Sequence, residues 1–165
     1  MSIIMILFVI TVGLFGLVND KISISKTEAI IKQISVAMQA YRADQGYYFM
    51  STSTLQSLTP AADPVSSSNR FKFNLDGYID GEFVKYFDYE SLKKSGYIKT
   101  VTGTSGYSYI VDAWGRSLIY KCPGNTNNTM FDLGSLGKNG KYGDNPLNTA
   151  TTDFGKGDDI TNFNY

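Results

Sequence analysis

No residue from Met1 to Asn19 carries a charge, so all thirty charged side chains of this 165-residue chain lie in Asp20–Tyr165. The uncharged stretch runs Ile3-Ile4-Met5-Ile6-Leu7-Phe8-Val9-Ile10 and continues through Leu14, Phe15, Leu17 and Val18; Ser2, Thr11, Gly13 and Gly16 interrupt it. A helix of that length spans about 26 Å, at the short end for a bilayer core of about 30 Å. A cleaved secretory signal fits poorly, because no basic segment precedes the run and no small-x-small site follows Val18. A buried core helix fits poorly too, since the segment is terminal and apolar all round. The reading is a membrane anchor over residues 1–19. Asp20 and Lys21 offset each other, so no charge bias sets its orientation.

Beyond Asp20 the pattern changes. Ile30, Ile34, Ala37 and Tyr41 recur at helical spacing with Ile31 and Met38 beside them, while Lys26, Lys32, Gln33, Gln39 and Arg42 fall elsewhere. This is an amphipathic helix over residues 25–45, whose single apolar stripe needs a partner surface. Ser25-Lys26-Thr27-Glu28 has the form of a capping box, so a helix can begin there. Residues 19–24 are poorer helix formers. The sequence therefore allows one long helix or two with a soft joint at 19–24. Gly46 is the natural stop.

The remainder is turn-rich. Thr54–Leu58 reads as one helical turn, and residues 59–70, with Pro60 and Pro64, read as a loop. Phe71, Phe73 and Leu75 alternate with polar residues before Asp76-Gly77, as in a hairpin arm. Tyr89–Ser95 reads as a short helix ended by Gly96. Strands are expected at 107–111, 117–121 and 129–133, the last two linked by a turn at 123–128. The economical fold is α+β. A long N-terminal helix, membrane-inserted in its first half and amphipathic in its second, packs on a small antiparallel three-stranded sheet. Residues 1–19 form the anchor and residues 20–165 the globular domain.

Composition narrows the chemistry. Fifteen basic residues balance fifteen acidic ones, which excludes a general nucleic-acid surface. There is no His, and Cys122 is alone. That removes His acid–base catalysis, Cys-His nucleophiles, zinc clusters and internal disulfides. Cys122 reads as a small buried hydrophobe and Trp114 as a large core or lid side chain. Gly115 reads as a turn residue. The carboxylate pairs Asp158/Asp159 and Asp88/Glu90 are framed by no nucleophile motif. Twelve Tyr and sixteen Gly suit an extracytoplasmic structural protein better than an enzyme.

The one candidate for ion chemistry is the carboxyl-terminal end. Residues 125–165 hold Asp132, Asp144, Asp153, Asp158 and Asp159 against Lys138, Lys141 and Lys156. Ca²⁺ takes about six to eight oxygen ligands, which carboxylates, Asn amides and turn carbonyls supply. Gly137, Gly140 and Gly143 let a loop curl until carbonyls converge. The same residues also make ordinary solvated Asx turns. EF-hand spacing is absent, and the glycines at 134, 137, 140 and 143 are too few triplets for collagen.

Several motifs stand in a fixed order. Asp112-Ala113-Trp114-Gly115 precedes a strand. Tyr120, Pro123-Gly124 and Asp132-Leu133-Gly134-Ser135-Leu136-Gly137-Lys138-Asn139-Gly140 follow, and Gly157-Asp158-Asp159-Ile160-Thr161-Asn162-Phe163 closes the series. The series resembles the major pseudopilin of type II secretion, the G-type pseudopilin family. That family shows an Asp-x-Trp-Gly turn, a strand, a Ser-Leu-Gly-x-Asp-Gly loop and a terminal Asp-Ile-x-Asn-aromatic segment. Ala37–Tyr48 is similar to the family's Tyr-x-x-Asp-x-Gly-x-Tyr stretch. Residues 49–111 match only in general character.

The resemblance implies a non-enzymatic filament subunit. Its anchor waits in the bacterial inner membrane in a single pass, with the head in the periplasm. The apolar helices then pack into a helical bundle, aided here by Gly13 and Gly16. The homo-oligomeric pseudopilus would drive export of folded proteins across the outer membrane. Its implied partners are other pseudopilins, membrane lipid, an inner-membrane assembly platform and a separate cytoplasmic ATPase; nucleic acid is not among them. The resemblance also implies one Ca²⁺, held by the Leu136 carbonyl, Asn139, Asp158 and Asp159, with Asp144 a further candidate. Asn139 stands where the family has Asp, which removes a carboxylate. The family's basic leader, its Phe and its Glu have no counterpart here. Aligning Tyr41 with the family tyrosine puts Met1 inside the apolar helix, so a truncated start or a lineage without leader processing is expected. The alternatives are a type IV pilus or competence pilin, which shares anchor and helix, and a membrane-tethered extracytoplasmic binding module or hydrolase.

Overall fold

A computed structural model describes residues 2–48, 56–57, 83–100, 108–143 and 153–163, with helix side chains from Val18 onward. One helix, α1 (Ser2–Gln45), dominates. It ends where Gly46 takes a left-handed φ of 83° and donates its N–H to the Arg42 carbonyl at 2.8 Å. After α1 come β1 (Gln56–Ser57), a 3₁₀ turn (Phe83–Tyr86) and α2 (Tyr89–Lys94). The strands β2 (Ile98–Thr100), β3 (Ser108–Ile110), β4 (Ile119–Lys121), β5 (Asp132–Ser135) and β6 (Ile160–Thr161) follow.

The second half of α1 meets the head through one face. Thr27, Ile30, Ile31, Ile34, Ala37, Met38 and Tyr41 are all buried and fall on one side of the helix, recurring every three or four residues with two adjacent pairs. Burying each large apolar side chain contributes roughly 1.5–3 kcal/mol, so this stripe is the main fastening of helix to head. Its one polar member is satisfied: the Thr27 hydroxyl accepts the Ala113 N–H at 3.1 Å. At its lower end Tyr41 makes edge contacts with Phe83 and Tyr86, at 5.9 and 5.8 Å between centroids. Beyond it, Tyr48 packs edge-on against Phe131 at 5.1 Å.

The sheet facing this stripe is antiparallel, in the order β1-β4-β5-β6. β5 is buried on both faces. Leu133 belongs to the α1 core, whereas Gly134 lies under Phe154, where a Cβ would come within 2.8 Å of that ring. Ile119 and Phe154, with Leu136, Tyr142 and Phe163 against them, make a second small cluster behind the sheet. A separate pair, β2 with β3, joins the main body through the Val111–Ser117 bridge.

The α+β class and the helix-on-sheet layering match the sequence reading. α1 is unbroken through 19–24, which settles the choice between one helix and two. Ser25 therefore caps no helix start; the helix passes through it, and Thr27 instead bonds across to the head. α2 ends near the expected place, with Gly96 at φ 81°. Other expectations need correction. Among the described residues the sheet has four strands, not three, because the short segments β1 and β6 add at its edges. Gln56–Ser57 is a strand rather than part of a helical turn. The strand expected at 129–133 lies at 132–135, since Thr129 and Met130 belong to the turn before it. The strand near 107–111 pairs with β2 outside the main sheet. The loop at 59–70 and the hairpin arm at 71–75 lie outside the described residues. Among residues described with their side chains, no helix is long and apolar enough to cross a membrane. Most of the apolar run at 3–17 lies outside them, and the anchor reading with it.

Candidate functional site

The site grows from a tight turn. Asp112 is buried, and its carboxylate organises residues 112–116: Oδ1 accepts the N–H groups of Trp114 and Arg116 at 2.9 and 2.8 Å. The Gly115 N–H returns to the Asp112 carbonyl at 3.0 Å, and Gly115 holds φ 79°. A carboxylate with a backbone N–H two residues on is an Asx turn, which Asp-x-Trp-Gly encodes locally. Asp112 Oδ2 then accepts the Ser135 hydroxyl at 2.5 Å, and the Ser135 Oγ accepts the Gly137 N–H at 3.0 Å. The turn is thereby bonded to the start of the glycine loop.

That loop, residues 136–143, curls through three glycines at positive φ: Gly137 (56°), Gly140 (69°) and Gly143 (68°). At Gly137 the requirement is also spatial, because a Cβ would strike the Asp158 backbone carbonyl. Arg116 donates to the Gly137 and Lys138 carbonyls at 2.6 and 2.9 Å. Across the loop Lys138 reaches α1, with Nζ 2.6 Å from Asp20 Oδ2.

Of the residues expected to bind a cation, Asn139 touches Asp158, Asp159 is bonded to the end of the same loop at Gly143, and the Leu136 carbonyl is engaged within the loop. The Leu136 carbonyl accepts the Gly140 N–H at 3.0 Å. Asn139 donates its N–H to Asp158 Oδ2 at 2.8 Å. Asp159 Oδ2 accepts from Gly143 and Gly155, both at 3.0 Å. The Asn139 side chain is engaged in the loop itself, its Oδ1 accepting from Lys141 and its Nδ2 donating to Gly143. Asp144 lies outside the described residues. All donors are hard oxygens, and Asp158 Oδ1 is buried with no hydrogen-bond partner among the described residues. A buried carboxylate oxygen left open is costly, and a hard cation is one group that satisfies it. That oxygen suits a hard cation in kind, whereas the Leu136 carbonyl and the Asn139 amide oxygen already accept hydrogen bonds from Gly140 and Lys141. Among the described residues no cluster of three or more His, Cys, Asp or Glu side chains could hold a metal, so the amide and carbonyl oxygens would be needed. Burial first, then the nearby Asp159 charge, raises the Tyr142 hydroxyl above its usual range.

Two anchors, the buried Asp132 and the half-buried Arg116, escaped the sequence reading. Asp132 Oδ2 accepts the N–H groups of Asn125 and Thr126 at 2.6 and 3.0 Å, and its Oδ1 accepts that of Asn127 at 3.0 Å. Only the Asn-rich turn just upstream hinted at this. Arg116 had no signal, since its partners are carbonyls about twenty residues away. Catalytic groupings gain nothing. Asp88 caps α2 through the Ser91 N–H at 3.0 Å. Cys122 is buried, which raises its thiol pKa, and its Sγ donates to the Met130 carbonyl.

Residues 92–153 match the family model described as Type II secretion system (T2SS), protein G. Over those residues the resemblance to the major pseudopilin holds. The match spans the Asp112 turn, β4, β5 and the glycine loop; α1 and the Asp158-Asp159 segment fall outside it. No curated protein and no solved structure matches the chain.

Proposed function

We propose that this chain is a structural subunit of a type II secretion pseudopilus, polymerising through α1 and exporting folded proteins as the fibre grows. The match over residues 92–153 carries this reading. It favours the secretion subunit over a pilus pilin. The shape of the molecule agrees: the matched head is clamped to one face of a 44-residue helix. The face of α1 turned away from the head keeps Val18, Ile22 and Val36 open, at 52%, 44% and 57% exposure. They lie near whole helical turns of one another, so they form a sparse apolar stripe, with Ala29, Lys32 and Gln33 between Ile22 and Val36. Helices of neighbouring copies packing on that stripe give a heterologous contact, which extends into a helical fibre instead of closing. The segment 1–19 anchors the chain in the bacterial inner membrane before assembly, leaving the head in the periplasm. Other pseudopilins and an inner-membrane platform are its assembly partners.

Val36→Glu tests this. The site is exposed, so stability of the isolated subunit changes by no more than about 0.5 kcal/mol. In the fibre the added carboxylate is buried without a partner, and fibres disappear from electron micrographs of cells carrying the secretion machinery. Fibres at wild-type level would sink the helical interface.

In this reading the Leu136 carbonyl, Asn139, Asp158 and Asp159 hold one Ca²⁺. When bound, the ion neutralises the two carboxylates and ties the glycine loop to the terminal segment. The chain's own residues do the positioning: the Asn139 N–H orients Asp158, and the Gly143 and Gly155 N–H groups orient Asp159. Saturating Ca²⁺ at about 100 times its dissociation constant stabilises the fold by about 2.7 kcal/mol. The melting temperature therefore falls on adding EGTA and recovers with excess Ca²⁺. No shift at millimolar Ca²⁺ removes the ion from the account.

A further inference from the structure

We infer that Arg116 holds the glycine loop in the shape that aims the Asn139 N–H at Asp158 before any cation arrives, which makes it a positioning residue for Asp158. The inference deepens the ion-loop reading above.

The peptide units of Gly137 and Lys138 are gripped from one direction. The Gly137 N–H goes to Ser135 Oγ, which is itself bonded to Asp112. The Gly137 and Lys138 carbonyls both end on the Arg116 guanidinium, 2.6 and 2.9 Å away. Two N–H groups of a planar fork on adjacent carbonyls fix orientation as well as distance, which a lysine ammonium does not. The backbone that carries the fork is held on both sides: the Asp112 carboxylate takes the Arg116 backbone N–H, and the Arg116 carbonyl takes the Asp112 N–H, both at 2.8 Å. The guanidinium also lies against Gly140, where a Cβ would meet its Nε at 2.5 Å.

The consequence falls on the next residue. With Gly137 and Lys138 fixed, the Asn139 N–H points at Asp158 Oδ2 at 2.8 Å, and Oδ1 stays buried with no partner among the described residues. Glycines at 137, 140 and 143 give the loop more freedom to lose on ordering than any other residue type. Arg116 also brings a positive charge, which taken alone repels Ca²⁺. Positioning and repulsion therefore predict opposite signs for its removal.

The test uses the full-length chain in detergent, comparing wild type with Arg116→Ala and Arg116→Lys. In EGTA, amide exchange at Asn139, Gly140 and Lys141 accelerates about tenfold in Arg116→Ala, while amides of Ile110, Leu118 and Leu133 keep wild-type rates. Calorimetric titration with Ca²⁺ shows affinity falling about tenfold in Arg116→Ala. Arg116→Lys keeps the charge but loses the fork, and restores neither property fully. Unchanged loop exchange in EGTA overturns the inference, as does tighter Ca²⁺ binding by Arg116→Ala. Should wild type bind no Ca²⁺, the ion reading falls, and the exchange rates in EGTA still decide the role of Arg116.

Discussion

Replacing Asp112 by alanine lowers the stability of the head by about 3–5 kcal/mol, because its removal strips partners from three donors at once. The N–H groups of Trp114 and Arg116 and the hydroxyl of Ser135 all point at this one carboxylate. The carboxylate is buried, so water does not replace it easily. The loss spreads beyond the turn, since Ser135 then holds the Gly137 N–H without its own anchor. Asp112→Asn keeps one acceptor oxygen and loses less. Trp114, the only tryptophan, sits in this turn and reports the change directly in denaturant unfolding followed by fluorescence. A loss below about 1 kcal/mol in Asp112→Ala would mean that the turn is not a structural joint.

Phe131→Ala is expected to be comparably damaging, at about 3–5 kcal/mol. Phe131 is fully buried and lies between Tyr48, at 5.1 Å, and Tyr120, at 5.8 Å. It links the end of the helix stripe to the sheet, so truncation opens a cavity at the seam between them. Phe131→Leu, closer in volume, costs under about 1.5 kcal/mol. Domains of this size hold only about 5–15 kcal/mol in total, so the alanine variant approaches the margin of folding. The midpoint and slope of urea unfolding separate a simple loss of stability from a loosened native state.

The parts of the fold that were legible in the sequence are those written in local pattern. The stripe from Ile30 to Tyr41, the stop at Gly46 and the turn at Gly115 each follow from residues a few positions apart. The absence of a break at 19–24 was not legible. Local propensity argues for a joint there, but intrahelical hydrogen bonding and docking of the next turns outweigh differences of a few tenths of a kcal/mol per residue. The strand near 130 was displaced because Asp132 pulls the preceding Asn-rich segment into a turn through three backbone N–H groups. β1 and β6 are two-residue edge strands whose identity comes only from their neighbours. Of the candidate site, the pairing of Asn139 with Asp158 was suggested by an ordered resemblance and not by spacing. The role of Arg116 was invisible because a guanidinium bonding to main-chain carbonyls leaves no trace in residue type.

That α1 builds a fibre from copies of this chain is tested most directly by imaging what the full-length protein forms when it is produced with the secretion assembly machinery and sheared from the cell envelope. The account predicts helical fibres whose reconstruction places Val18, Ile22 and Val36 against α1 of neighbouring subunits, with the heads outside. Fibres built through the heads alone, with that face of α1 open to water, would contradict it, and so would a full-length chain that stays monomeric in the membrane.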